Sequence, residues 1–195
     1  MTIKTAAFGA AFAVLTTGMT TGASANEFEP AMRSFLETDV REWSSHTLLL
    51  EALRTQNVMT KTYDQARIDA MDTAWRAEVG ASPAPTIDPV MTSAASDFLR
   101  ARVEASGGMM TEVILMDAVG LNAAVSHVTS DMWQGDEAKY LDTYLAGAGA
   151  VHVSEIEKDE SSGRYQAQLS FTIVDPGTGE LLGAMTVGVD ADALF

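Results

Sequence analysis

The sequence contains residue types that could do chemistry, but none of them stands in a recognised catalytic spacing. The three histidines, His46, His127 and His152, lie too far apart for the H-x-x-x-H spacing typical of zinc sites. Ser126 and His127 are neighbours on a predicted strand, so we expect their side chains to point to opposite faces and not to pair as nucleophile and base. No G-x-S-x-G, G-x-G-x-x-G or P-loop motif occurs. We therefore expect no enzyme, no metal site and no cofactor.

A polar segment around Trp133 is the best candidate for binding a small molecule. Trp133 offers an aromatic face, Lys139 could pair with a carboxylate, and Asp131 or Asp136 could pair with an amine. The same residues also have an ordinary structural interpretation: Trp133 closes the edge of the core, Asp136 caps a helix and Lys139 forms an ion pair within it. The candidate ligand-binding residues are Asp117, Ser126, Thr129, Asp131, Trp133, Gln134, Asp136, Lys139, Tyr140, Gln168 and Ser170.

Other members of this set come from a predicted strand and a predicted hairpin. Gln168 and Ser170 lie on the polar face of the alternating segment 164–174, which either faces a ligand or is solvated. Ser126 and Thr129 could add hydroxyl groups, or they are ordinary strand residues. Asp117 precedes a turn, where an aspartate usually binds its own backbone.

Composition limits the kind of protein that these residues belong to. The chain has 195 residues, with 12 Lys and Arg against 27 Asp and Glu, a net charge of −15 and no cysteine. Such an acidic chain is not expected to bind nucleic acid, because phosphate binding requires clustered basic residues. The absence of cysteine excludes disulfides and thiolate metal ligands. The length is that of one domain.

The first 25 residues have the pattern of a secretory signal peptide. Lys4 precedes an apolar stretch from Thr5 to Met19, and the small residues Ala23-Ser24-Ala25 form a cleavage motif. We expect export to a bacterial periplasm and a domain that covers residues 26–195. The sequence leaves open whether the peptide is removed or retained.

The remaining chain changes character at Gly108. Residues 26–107 predict helices, over 27–56, 62–78 and about 88–105, because apolar residues recur there at spacings of three and four. Residues 108–195 predict five strands with one inserted short helix at 136–145. Helices followed by strands indicate an α+β fold, with long N-terminal helices on one face of an antiparallel sheet.

The segment from Val113 to Val189 resembles the periplasmic Cache domains, which are PAS-like sensor domains of the PDC type. The resemblance is carried by Asp117-Ala-Val-Gly120, by the segment 129–139, by Asp159-Glu-Ser-Ser-Gly163, by Asp175-Pro-Gly-Thr-Gly179 and by Gly183-Ala-Met-Thr-Val-Gly-Val189. In that family a small ligand binds between one sheet face and the loops and short helix above it. The resemblance therefore implies binding and signal transduction.

Two functions agree with these patterns. The first is an exported, stand-alone Cache-like sensor that binds an amino acid, an organic acid or an amine and passes the signal to a membrane-bound partner. The alternative is a periplasmic protein–protein adaptor without a small-molecule pocket, whose working surface is the apolar stripe of residues 27–56. The wide apolar face of that helix also predicts a homodimer.

Overall fold

The computed structural model describes residues 28–158 and 165–193, in which the helices precede an antiparallel sheet. The helices are α1 (Glu29–Phe35), α2 (Arg41–Ser44), α3 (Thr47–Thr60), α4 (Gln65–Glu78), α5 (Ile87–Met91), α6 (Ala94–Ala105) and α7 (Ala138–Leu141). The strands are β1 (Met110–Met116), β2 (Asn122–Val125), β3 (Val151–Val153), β4 (Glu157–Lys158), β5 (Tyr165–Val174) and β6 (Leu181–Asp190). The predicted signal peptide lies outside these residues. No helix in the described ranges has the length and apolar character needed to cross a bilayer.

The sheet has the strand order β2-β1-β6-β5-β3, and β4 also pairs with β5. All of its pairs are antiparallel, which confirms the predicted α+β fold with six strands rather than five. The additional strand arises because the segment predicted as one strand is interrupted after Val153. There Gln168 N donates to the Ser154 hydroxyl at 2.8 Å, so a side chain replaces the backbone acceptor of the ladder.

The helix predicted over residues 27–56 is divided into shorter pieces. A π-helical segment, Leu36–Val40, joins α1 to α2, and the helical hydrogen bonding ends after Ser44. His46 then begins α3, with its Nδ1 accepting a hydrogen bond from Leu48 N at 3.3 Å. The run Ser44-Ser45-His46 consists of residues with weak helix propensity, which explains the break.

Each face of the sheet carries its own hydrophobic cluster. Val113 and Ile114 are neighbours in β1, so they point to opposite faces and belong to different clusters. The first cluster packs the sheet against α1–α3 and α6, as predicted. The second cluster contains Ile68 and Trp75 of α4, so this helix covers part of the opposite face. Its sheet and hairpin members include Ile114, Met116, Leu121, Val125 and Ala184.

Helix α3 is joined to the turn between β5 and β6 by an ion pair that should make stability depend on pH. Arg54 Nε donates to Asp175 Oδ2 at 3.0 Å, and Gly177 N donates to Asp175 Oδ1 at 2.8 Å. These contacts, the Arg54 hydrogen bond above all, lower the pKa of Asp175. A carboxyl whose pKa is lowered by folding stabilises the protein above its unfolded value of about 3.9, and this effect disappears as the pH falls through the folded value.

Asp175→Asn is therefore expected to lower the Tm at neutral pH. The difference from the parent protein should shrink as the pH falls below about 4, because the parent carboxyl is then protonated as well. Thermal unfolding followed by circular dichroism across this range measures both quantities. An equal difference at about pH 7 and about pH 2.5 would contradict the assignment.

Candidate functional site

The second face of the sheet is apolar at one end and polar at the other. Near Met116 it is filled by the second hydrophobic cluster, whereas beyond Ile114 it opens into a cavity of about 250 Å³. This volume is slightly below the ~300–1,000 Å³ that is usual for small-molecule sites. The lining residues come from the sheet, the loop 129–134 and the region of α7, and they are Glu112, Ile114, Thr129, Ser130, Asp131, Gln134, Glu137, Lys139, Ser154, Glu157, Lys158, Gln166 and Gln168.

A carboxylate and two amides form the floor of the cavity. Glu112 on β1 and Gln168 on β5 are both in register with Gly188 on the strand between them. Because Gly188 has no side chain, the two flanking side chains meet above it, and Gln168 Nε2 donates to Glu112 Oε1 at 3.2 Å. Gln166 Nε2 donates to the same oxygen at 2.9 Å, and its own Oε1 accepts from Thr111. The floor is thus an ordered polar network on the second face of the sheet.

Residues 129–134, which we name the cover loop, close the cavity from above and are held by α4. Trp75 is fully buried, and its Nε1 donates to Thr129 O at 2.8 Å. Asp72 Oδ1 accepts the backbone N–H groups of Met132 and Trp133 at 2.9 and 3.1 Å. Helix α4 therefore fixes both the start and the end of the loop.

One ion-pair network extends from α4 to the cavity wall. Arg76 binds Asp72 Oδ2 at 2.7 Å and Asp131 Oδ2 at 3.1 Å, and the Asp72 hydrogen bond raises the pKa of Arg76. The other oxygen of Asp131 accepts from Gln134 Nε2 at 2.7 Å. This arrangement turns the polar groups of Asp131 and Gln134 towards one another at the rim of the cavity.

The side of the cavity next to α7 is provided by Lys139. Its ammonium group donates to Gln134 Oε1 at 3.1 Å and forms an ion pair with Glu137 at 3.0 Å. The Lys139 side chain is only 11% exposed, so its charge is held close to the cavity and away from bulk water. It could bind the anionic end of a ligand only in competition with Glu137.

The structure brings five of the eleven predicted site residues to the cavity: Thr129, Asp131, Gln134, Lys139 and Gln168. The other six do not line it. Asp136 is exposed beyond the cover loop. Ser170 is fully buried on β5, where its hydroxyl lies 2.9 Å from that of Thr186.

Asp117 binds the backbone of its own turn, which is the alternative to ligand binding that its sequence context suggested. Its Oδ1 accepts the N–H groups of Val119 and Leu121, both at 2.9 Å, and its Oδ2 accepts from Gln56 Nε2 at 3.0 Å. Burial raises the pKa of Asp117, although these hydrogen bonds act in the opposite direction. The carboxyl therefore orders the β1–β2 turn on the side of α3.

Trp133 and Tyr140 stabilise the same turn from the other side. Trp133 Nε1 donates to Val119 O at 2.9 Å, and its ring lies so close to Gly135 that a Cβ there would be 2.3 Å from Nε1. The Tyr140 hydroxyl donates to Ala118 O at 2.8 Å, and burial raises its pKa. Both aromatic side chains pack in the structure around the hairpin rather than facing the cavity.

The expectation that Ser126 and His127 point apart is wrong. Ser126 Oγ lies 3.0 Å from His127 Nδ1 and also accepts Val113 N at 2.8 Å. The reason is that β2 ends at Val125, so the strict alternation of a strand no longer applies to the next two residues. Ser126 is fully buried and does not line the cavity, so this pair provides no accessible nucleophile.

The sequence reasoning missed the residue that organises the floor. Glu112 is the one charged residue in the otherwise apolar and hydroxyl-bearing strand Met110–Met116, and this isolation was the available signal. Gln166 lies two positions before Gln168 on the same predicted polar face, and this alternation was its available signal. No local pattern distinguishes Glu157 or Lys158 from other surface charges. Across the described residues, no cluster of three or more histidine or carboxylate side chains could hold a metal ion.

Comparisons with known proteins give similarities at the level of structure alone. Neither a family model nor a curated protein matches the chain. Among solved structures, the ligand-binding domain of the Campylobacter jejuni chemoreceptor Tlp3 in complex with 4-methylisoleucine has 13% identity and a TM-score of 0.42, and the match covers 83% of this chain and 64% of that one. The sensor domain of the V. cholerae histidine kinase DctB has 16% identity and a TM-score of 0.39, with 86% and 58% covered.

A third similar structure is an extracellular ligand-binding receptor from Desulfohalobium retbaense, with 17% identity, a TM-score of 0.40 and coverage of 78% of this chain and 26% of that one. The chain thus spans less than two thirds of the length of each of these proteins. These three structures are a ligand-binding domain of a chemoreceptor, a sensor domain of a histidine kinase and an extracellular ligand-binding receptor.

Proposed function

We propose that this protein binds a small polar metabolite in the cavity between the sheet and the cover loop, and that it acts as a sensor or a binding component. The observation that supports this most directly is the combination of an open volume with ordered polar groups on three sides. Glu112 and Gln168 lie on the floor, Gln134 lies on the cover loop and Lys139 lies at α7. Convergent polar groups around a cavity are typical of sites that fix the orientation of a small ligand.

Thermal unfolding with a panel of amino acids, organic acids and amines tests this proposal. A ligand that binds only the folded protein stabilises it by about 2.7 kcal/mol at a hundredfold excess over its Kd. Gln168→Ala should weaken the response by roughly threefold to tenfold in Kd, since it removes one hydrogen-bonding group from the floor. Gln65→Ala, on the exposed face of α4, is the matched control and should leave the response unchanged.

Two outcomes of this experiment would contradict the proposal. One is the absence of any stabilising compound across the panel, which would favour the adaptor function. The other is a compound whose Kd is changed equally by Gln168→Ala and by the control, since such a compound binds elsewhere.

The remaining parts of the proposed function concern the setting of the domain. We propose that it is exported to the periplasm and passes its signal to a membrane-bound partner. A homodimer through the N-terminal helices also stays a prediction. Met32, Leu36, Val40 and Trp43 are buried in the first cluster, so such a dimer would have to use the outer face of this region.

A further inference from the structure

The carboxylate of Glu112 differs in its partners from the ion-paired groups of the cavity, which are Asp131, Glu137 and Lys139. Asp131 is paired with Arg76 at 3.1 Å, and Lys139 is paired with Glu137 at 3.0 Å. Within residues 28–158 and 165–193, no lysine or arginine forms an ion pair with Glu112. Its Oε1 instead accepts two neutral amide donors, from Gln166 and Gln168. These bonds orient the carboxylate without neutralising its charge.

Gly188 leaves room for the side chains that orient this carboxylate. A Cβ built on Gly188 would lie 2.3 Å from Thr111 Oγ1, 2.7 Å from Gln166 Oε1 and 2.9 Å from Glu112 Cγ. Any side chain at this position would therefore displace the floor network. The absence of a side chain on the middle strand is what allows groups from β1 and β5 to converge on one place in the cavity.

The charge of the lining favours a cation over an anion. Its carboxylates are Glu112, Asp131, Glu137 and Glu157, whereas its cationic side chains are Lys139 and Lys158. The whole chain has a net charge of −15, so the field around the cavity attracts cations and repels anions. A ligand with only carboxylate groups would have to approach this field, and it could bind Lys139 only by displacing Glu137.

We infer that the ligand is a small amine whose ammonium group binds Glu112 on the cavity floor. This inference rests on the proposed function and names the ligand class of the same cavity. The ammonium group supplies the missing positive partner of Glu112, and a charge-assisted hydrogen bond in a half-buried site is among the stronger polar contacts. An uncharged or anionic ligand would leave that carboxylate without a cation.

The test uses the full chain and matched straight-chain series of diamines, amino acids and dicarboxylates of equal carbon number, with binding measured by calorimetry. We expect the compounds that carry an ammonium group to bind more tightly than the dicarboxylates of the same length. Glu112→Gln should weaken the binding of the best amine by about tenfold to a hundredfold, the size expected for losing a hydrogen bond to a charged group. The glutamine can still accept both amide hydrogen bonds, so the floor should keep its geometry.

Two further variants complete the experiment. Glu104→Gln makes the same chemical change on the exposed surface of α6 and should leave the affinity unchanged. Gly188→Ala, with folding verified by circular dichroism, should weaken amine binding because the new methyl group displaces the floor network.

The outcomes separate the inference from the proposed function. If dicarboxylates bind and amines do not, the cavity is a ligand site but the inference is overturned. If an amine binds equally well to the parent protein and to Glu112→Gln, the inference is also overturned. If no compound in any series binds, the proposed function fails together with the inference.

Discussion

Replacing Trp75 with alanine is expected to lower the free energy of unfolding by about 3–5 kcal/mol. Trp75 has no exposed surface, and its ring is part of the second hydrophobic cluster between α4 and the sheet. Its Nε1 also provides the hydrogen bond to Thr129 O at 2.8 Å. The substitution removes the largest side chain of this cluster and leaves a buried carbonyl group without its partner.

Urea unfolding followed by circular dichroism measures this loss, and the Tm should fall by about 6–20 °C for a domain of this size. Trp75→Phe keeps a six-membered aromatic ring in the cluster and removes the donor together with the pyrrole part of the indole, so it should cost less than Trp75→Ala. Trp133→Ala is the comparison with a half-buried ring and should cost less than Trp75→Ala. A loss below about 1 kcal/mol for Trp75→Ala would show that α4 does not anchor the second cluster.

The second large effect is expected from Asp72→Ala, which removes the attachment of the cover loop to α4. One carboxylate oxygen accepts the N–H groups of Met132 and Trp133, and the other binds Arg76. Hydrogen bonds to a charged group contribute about 1.5–3 kcal/mol each. We expect the exchange of the Met132 and Trp133 amide hydrogens to accelerate by about tenfold to a hundredfold, because the loop opens locally at lower cost.

Asp69→Ala is the matched control on the same helix. Asp69 is exposed and accepts a hydrogen bond from Gln65 at 2.8 Å, so its removal should leave exchange in the cover loop unchanged. Asp72→Ala should also weaken ligand binding, since Asp131 and Gln134 of the same loop line the cavity. Asn122 N of β2 also donates to Met132 O at 2.9 Å. If the Met132 and Trp133 amides exchange at the same rate in both variants, this contact holds the loop and α4 does not.

Helix α4 is thus an element that holds the cover loop over the cavity. Its residues Asp72, Trp75 and Arg76 lie on successive positions of one helical face and bind three different parts of the cover loop. None of these three residues was selected as functional from the sequence. Their roles depend on contacts with residues more than fifty positions away, which no local spacing encodes.

The sequence by itself determined the features that depend on neighbouring residues. The order of helices and strands follows from the spacing of apolar residues, which is three to four before Gly108 and two after it. The alternation in segment 164–174 places Gln166, Gln168 and Ser170 on one face of β5. The Asp64 side chain caps α4 through a hydrogen bond from Arg67 N at 2.9 Å, a contact between residues three positions apart. The turn role of Asp117 was also available as a local alternative.

Only the tertiary structure decided which groups share the cavity. The alternation of apolar and polar residues shows that a strand has two faces. It does not show which helix packs on each face, or how far along the strand that helix extends. Trp133 was expected at the ligand because it is aromatic and surrounded by polar residues, yet its ring packs on the hairpin turn. Glu112 and Gln168 are more than fifty residues apart and meet only because the strand between them has a glycine at that position. Such a meeting depends on strand order and register, which long-range packing fixes and local sequence does not.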